Sequence, residues 1–121
     1  MSGIFRSSNT NPNPPLFYAQ IVPGLGGTAL GPALRNLGIN TDRCWARNGT
    51  STPYLAEGLY FSVSGSQTFR VYGNSGESGN GTGQRHSVLL ANQYHFMPIG
   101  NPENLWIIGS ATGVTLGVRG H

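Results

Sequence analysis

From residue 59 to residue 120 the chain is a succession of short runs in which apolar and polar residues alternate, each bounded by turn-forming residues. Leu59, Phe61 and Val63 alternate with Tyr60, Ser62 and Ser64, and Phe69 and Val71 alternate with Thr68, Arg70 and Tyr72. A period of two sends successive side chains to opposite faces of a strand, so such runs suit half-buried β-structure. "HSVLLA" at 86–91, "QYHFMPI" at 93–99, the apolar run "NLWIIGS" at 104–110 and "GVTLGVRG" at 113–120 extend the series, the last with Val114, Leu116 and Val118 inward. Six short strands, punctuated by turn signals every 8–12 residues or so, predict an all-β fold. The expected architecture is an antiparallel β-sandwich, jelly-roll-like, or a small barrel, with an extended N-terminal arm and at most one short helix.

The links between runs predict hairpins. "SGSQ" joins the first two strands, Asn92 the third and fourth, and "SATG" the last two. Pro98 suits a strand end or an edge. "GNSGESGNGTG" at 73–83 has no apolar residue and reads as a long exposed loop.

Composition agrees with a loop-rich β-protein. Charged residues are 9% of the 121, against an average of about 25%. The 19 glycines and 8 prolines exceed a fifth of the chain. One domain is expected, burying roughly two thirds of its unfolded surface. Within it, residues 1–22 read as an extended arm, because each proline of "NTNPNPP" removes a donor and biases its predecessor to extended geometry. Residues 16–22, "LFYAQIV", can form a short strand at its end. Residues 23–52 read as a loop-rich segment packed on the core, with a short helix near 32–37, and residues 53–121 as the sandwich core.

The seven basic residues are all arginines, scattered except for a loose group from Arg35 to Arg47. A nucleic-acid binder gathers cations into a stripe with aromatics between them, so this distribution argues against nucleic acid as a partner. No stretch approaches the roughly 20 apolar residues of a membrane-spanning helix, and no membrane partner is expected.

"QIVPGLGGTALGPALRNLGINTD" imitates a dinucleotide-binding fingerprint: a strand-like run, Gly24-x-Gly26-x-x-Ala29, a spaced apolar set and an acid at Asp42. Gly31-Pro32 interrupts the first turn of any helix begun at Gly27. The helix the residues permit is Pro32 to Leu37, capped by Gly38, too short for a crossover. The fingerprint is a coincidence of a glycine-rich loop.

Catalytic and metal-binding patterns are equally sparse, and no enzyme activity or cofactor is expected. Cys44 is the only cysteine; with His86 or His95 it would make a nucleophile and base, but beside Trp45 it reads as a small buried hydrophobe. Asp42, Glu57, Glu77 and Glu103 are dispersed. His86 and His95 would ligate a metal only across a hairpin turning near Asn92, and they read as ordinary strand histidines. No serine sits in a Gly-x-Ser-x-Gly elbow. The sequons at Asn48 and Asn80 carry weight only in a secreted eukaryotic chain.

Aromatics are more suggestive. Tyr60 beside Phe61 and Trp106 beside Ile107 put large side chains on both faces of a strand, which requires a cover on the second face. The chain's own residues 16–52 or a neighbouring subunit could supply it. Scarce charge and a proline-rich arm favour work inside an assembly.

The stretch "NPENLWIIGSATGVTLGVRG", an apolar strand, a Gly-Ser-Ala turn and a final alternating strand, resembles the ending of small tailed-bacteriophage virion proteins, and "GLYFSVSGSQTFRVYG" is similar to such β-proteins. The resemblance covers about half the chain. It implies a structural virion protein of the capsid cement or decoration type, made in a bacterial cytoplasm and placed on the capsid surface. Its partners would be the major capsid protein and, at symmetry axes, further copies of itself. Phe5, Arg6, Leu16, Phe17 and Tyr18 would lie on the capsid. A head-tail or tail component is a second reading. A carbohydrate-binding β-domain is a third, with Trp45, Tyr54, Tyr72 or Trp106 stacking on sugars beside the 73–83 loop.

Overall fold

The computed structural model describes residues 14–47, 52–74 and 86–121. Among these residues eight strands form: β1 (Phe17–Ile21), β2 (Thr28–Ala29), β3 (Leu59–Val63), β4 (Phe69–Tyr72), β5 (His86–Leu89), β6 (Gln93–Met97), β7 (Trp106–Gly109) and β8 (Leu116–Gly120). An α-helix, α1 (Leu30–Asn36), and a 3-10 turn at Thr41–Arg43 lie between β2 and β3.

The strands make two four-stranded antiparallel sheets, ordered β1-β8-β3-β6 and β2-β7-β4-β5. The first strand pairs with the eighth, the second with the seventh, the third with the sixth and the fourth with the fifth. Two further pairings, β3 with β8 and β4 with β7, close this long folded ribbon into two layers. That is the connectivity of a jelly roll, and the sheets stay open at their edges rather than closing into a barrel.

The expected hairpins are replaced by corners. β3 and β4, β5 and β6, and β7 and β8 each lie in different sheets. The reason is reach: layers of a sandwich are about 10 Å apart, and the five residues 64–68 span up to about 17 Å when extended. A tight link therefore crosses between layers as readily as it reverses within one. Among the described strands, the only sequential neighbours that pair are β4 and β5, the two joined by the long polar loop. Residues 75–85 of that loop lie outside the described residues.

Alternation decides which side chains meet. Phe17, Ala19, Ile21, Leu59, Phe61, Val63, Leu116 and Val118 from one sheet share the core with Phe69, Val71, Leu89 and Ile107 from the other. At about 25 cal/mol per Å2 of apolar surface, each of the larger side chains contributes roughly 1.5–3 kcal/mol. Leu30 and Leu34 of α1, together with Trp45, Leu55 and Leu105, complete the cluster.

Boundaries at residues 22 and 53 do not separate structural units. β1 is hydrogen-bonded along its length to β8, and Phe17 packs edge-on to the buried Trp45, with ring centroids 5.8 Å apart. A Cβ at Gly120 would collide with the Phe17 ring, so the glycine opposite makes room for it. The sandwich thus begins at β1, because the alternation of Phe17, Ala19 and Ile21 suits an edge strand with one buried face.

The helix starts two residues earlier than the proline implies. Leu30 N–H donates to Leu105 O at 2.8 Å and Gly31 N–H to Glu103 O at 3.1 Å, so two first-turn donors are satisfied by the β6–β7 connection. Pro32 has no N–H to satisfy. Gly38, at φ +89°, follows the helix as expected. In the apparent fingerprint, Gly27 at φ +88° lies under the Trp106 indole, where a Cβ would collide, and Ala29 pairs with Trp106 in β2. Strand β1 has an antiparallel partner and no crossover follows it, so nothing there resembles a nucleotide site.

Candidate functional site

Glu103 is the centre of the densest polar cluster among the described residues. Its carboxylate accepts two hydrogen bonds from Arg35, at 2.9 and 2.8 Å, and one from Trp45 Nε1 at 2.8 Å. Arg35 Nη1 also donates to Thr41 Oγ1 at 3.0 Å. A Cβ at Gly31 would collide with the carboxylate, which therefore lies flush on the helix. Hydrogen bonding from Arg35 holds the Glu103 carboxyl below its ordinary range, against the opposing pull of burial, with Trp45 assisting. Every partner is a structural donor, and the cluster ties α1, the 3-10 turn and the β6–β7 connection together.

The other groups with possible chemistry stand apart. Cys44 is buried, and desolvation pushes its thiol up, only partly offset by Arg43. Asp42 pairs on the surface with Arg47 at 2.9 Å. His95 is opposite Phe61 on β6, and its Nε2 accepts from Leu90 N–H at 2.9 Å. His86 is on β5, opposite Tyr72 of β4, so the two histidines belong to different sheets and the hairpin that would pair them does not exist. Among the described residues, no three His, Cys, Asp or Glu gather into a metal-ligating group.

The surfaces are more informative. On the outer face of the first sheet, pairing aligns Tyr18, Arg119, Tyr60 and Phe96 in one transverse row and Gln20, Gly117, Ser62 and Tyr94 in the next. The Arg119 guanidinium lies 5.1 Å from the centre of the Tyr60 ring, and Tyr60 and Phe96 are 4.7 Å apart. The second row has small residues in the middle and long ones outside, leaving a cavity of about 420 Å3. At the edge of this face, Phe96 of β6 is exposed together with Val88 of β5 and Leu90 of the β5–β6 connection. Val88, His95, Phe96, Met97 and Pro98 border a cleft of about 230 Å3 whose lining is apolar apart from the histidine.

The chain matches no protein-family model, no curated protein and no solved structure.

The five residues expected at an interface are not equivalent. Phe5 and Arg6 lie outside the described residues. Leu16 and Tyr18 are 57% and 54% exposed, whereas Phe17 is 6% exposed and turned into the core. The period of two on β1 enforces that division, so Phe17 has no face to offer a partner. Of the aromatics suggested for sugar stacking, Trp45 and Tyr72 are buried, Trp106 is half-buried against Gly27, and Tyr54 is exposed. Sequence reasoning missed the outer-face groove. Its signal was present in the polar positions of the alternating strands: Ser62 and Ser64 on β3 and its end, Thr115 and Gly117 at β8, all small, flanked by tyrosines on β1 and β6.

Proposed function

We propose that this chain is a structural virion protein of a tailed bacteriophage, a capsid cement or decoration protein that binds the major capsid protein and stabilises the shell. The observation that carries the reading is the exposed apolar corner where Val88 and Phe96 border the 230 Å3 cleft, with Leu90 exposed just beyond β5. A chain with so few charges that still exposes a contiguous apolar corner has the surface of a protein that is covered in its working state. Leu16, at the start of β1 on the opposite edge of the first sheet, is a second exposed apolar residue. Binding would draw on apolar burial at this corner, and repetition around the symmetry axes of a shell would multiply weak contacts into avidity. The protein has no catalytic role in this reading and sits on the capsid surface.

Copy number per purified virion, measured by quantitative mass spectrometry, tests it. Closed rings at one vertex give roughly six or twelve copies, whereas a surface lattice gives on the order of hundreds. Hundreds support the cement reading. A ring-sized number moves the protein to the neck or tail, and absence from particles ends the virion reading.

A further inference from the structure

The outer face of the first sheet is not apolar like the corner beside it, and its chemistry is of another kind. We infer that the groove between Tyr18 and Tyr94 is a binding site for a neutral carbohydrate. This rests on the geometry of the groove alone and stands whether or not the protein is part of a virion.

The groove is built by register. Gly117 is opposite Gln20 on one side and Ser62 on the other, and Ser62 is opposite Tyr94, so the two central strands present the smallest side chains and the outer strands the longest. Three strand spacings separate β1 from β6, a width of about 14 Å. A Cβ at Gly117 would strike Ser62 Oγ and come within 3.4 Å of the Tyr18 hydroxyl. The glycine therefore keeps the floor low. Asn92, at φ +56°, turns the chain at the end of the groove and Gln93 follows it into β6. The cavity, about 420 Å3, falls within the range of small-ligand sites, roughly 300–1,000 Å3.

Its lining matches one class of ligand. Tyr94 is 80% exposed and Tyr18 more than half, giving two aromatic surfaces beside the groove. Between them are amides from Gln20 and Asn92 and hydroxyls from Ser62, Ser64 and Thr115, groups that both donate and accept. Gln20 Nε2 donates to the Tyr18 hydroxyl at 3.3 Å. Among the described residues, none that lines this cavity is charged. A sugar ring has apolar C–H faces for an aromatic surface and a rim of neutral hydroxyls for amides and hydroxyls. An adjoining cleft of about 160 Å3 shares Tyr18, Ser62 and Tyr94 and adds Tyr60 and Arg119, leaving room for a second ring. Stacked nucleobases would also suit the tyrosines, but a phosphate backbone needs several cations, and Arg119 is the one cation among the described residues lining the two clefts.

The test is an array of neutral gluco-, manno-, galacto- and N-acetylglucosamine oligosaccharides probed with the full chain, followed by calorimetry with the glycan that binds. At least one should bind, and Tyr94→Ala and Tyr18→Ala should each weaken it about tenfold or more with an unchanged thermal transition. Tyr54→Ala, away from the groove, should not. Since Tyr94 is so exposed, its replacement leaves the core intact. A silent array, binding confined to sulfated glycans or oligothymidylate, affinity indifferent to both groove variants, or sedimentation showing these tyrosines sealed between copies of the chain would each overturn the assignment.

Discussion

Both terminal nitrogens of Arg35 engage the Glu103 carboxylate, Nη1 to Oε1 at 2.9 Å and Nη2 to Oε2 at 2.8 Å, 68 residues apart in sequence. Two parallel bonds of this kind fix orientation as well as charge. They join the helix that follows β2 to the loop that leads into β7, the two partners of one edge of the second sheet.

Removing the carboxylate should be costly. Glu103→Ala leaves a mostly buried guanidinium and the Trp45 N–H without their acceptor, and should lower unfolding free energy by about 2–4 kcal/mol. Denaturant titration followed by tryptophan fluorescence would measure it. A change below about 0.5 kcal/mol would show that the cluster contributes little.

The same pair sets an acid limit. The folded-state carboxyl of Glu103 lies below its unfolded value, so its contribution is fully present above the unfolded value near 4.3 and disappears as pH falls through the folded one. Stability should therefore decline below about pH 4, with a smaller decline in Glu103→Gln. Denaturation midpoints from pH 7 to pH 3 would check this, and identical acid limbs in the two proteins would refute it.

Cys44 should be inert while the chain is folded. Burial raises its thiol, so thiolate is scarce as well as inaccessible. A chromogenic disulfide reagent should react at least about a hundredfold more slowly with native than with urea-unfolded protein, since reaction requires opening. Equal rates would place the sulfur at the surface.

Gly27 carries two constraints at one position. Its φ of +88° favours glycine, and a Cβ there would run into the Trp106 indole. Gly27→Ala should cost about 2 kcal/mol or more and shift Trp106 emission. An unchanged spectrum and midpoint would mean that the loop moves aside freely.

The position of β1 in the sheet also fixes where truncation is tolerated. A chain beginning at residue 14 retains the eight described strands and should unfold cooperatively. One beginning at residue 23 loses β1 and the core side chains Phe17, Ala19 and Ile21, and should lose its cooperative transition by circular dichroism. A cooperative transition in the shorter chain would mean that β8 needs no edge partner.

The sequence by itself determined where the strands from residue 59 onward lie and which residues face inward, because a two-residue period is a local property of the chain. Leu59, Phe61, Val63, Leu116 and Val118 are buried as their alternation requires. Gly38 ended the helix for an equally local reason, its freedom at positive φ. Pairing was not local. The links at 64–68 and 110–115 are long enough either to reverse or to cross between layers, so only the packed structure decided that β3, β6 and β8 lie in one sheet with β1, and β4, β5 and β7 in the other with β2. The same register drew Arg35 to Glu103 and brought Tyr18, Gly117, Ser62 and Tyr94 onto one face. Such juxtapositions come from strands far apart in sequence, and no spacing within any one of them encodes the meeting.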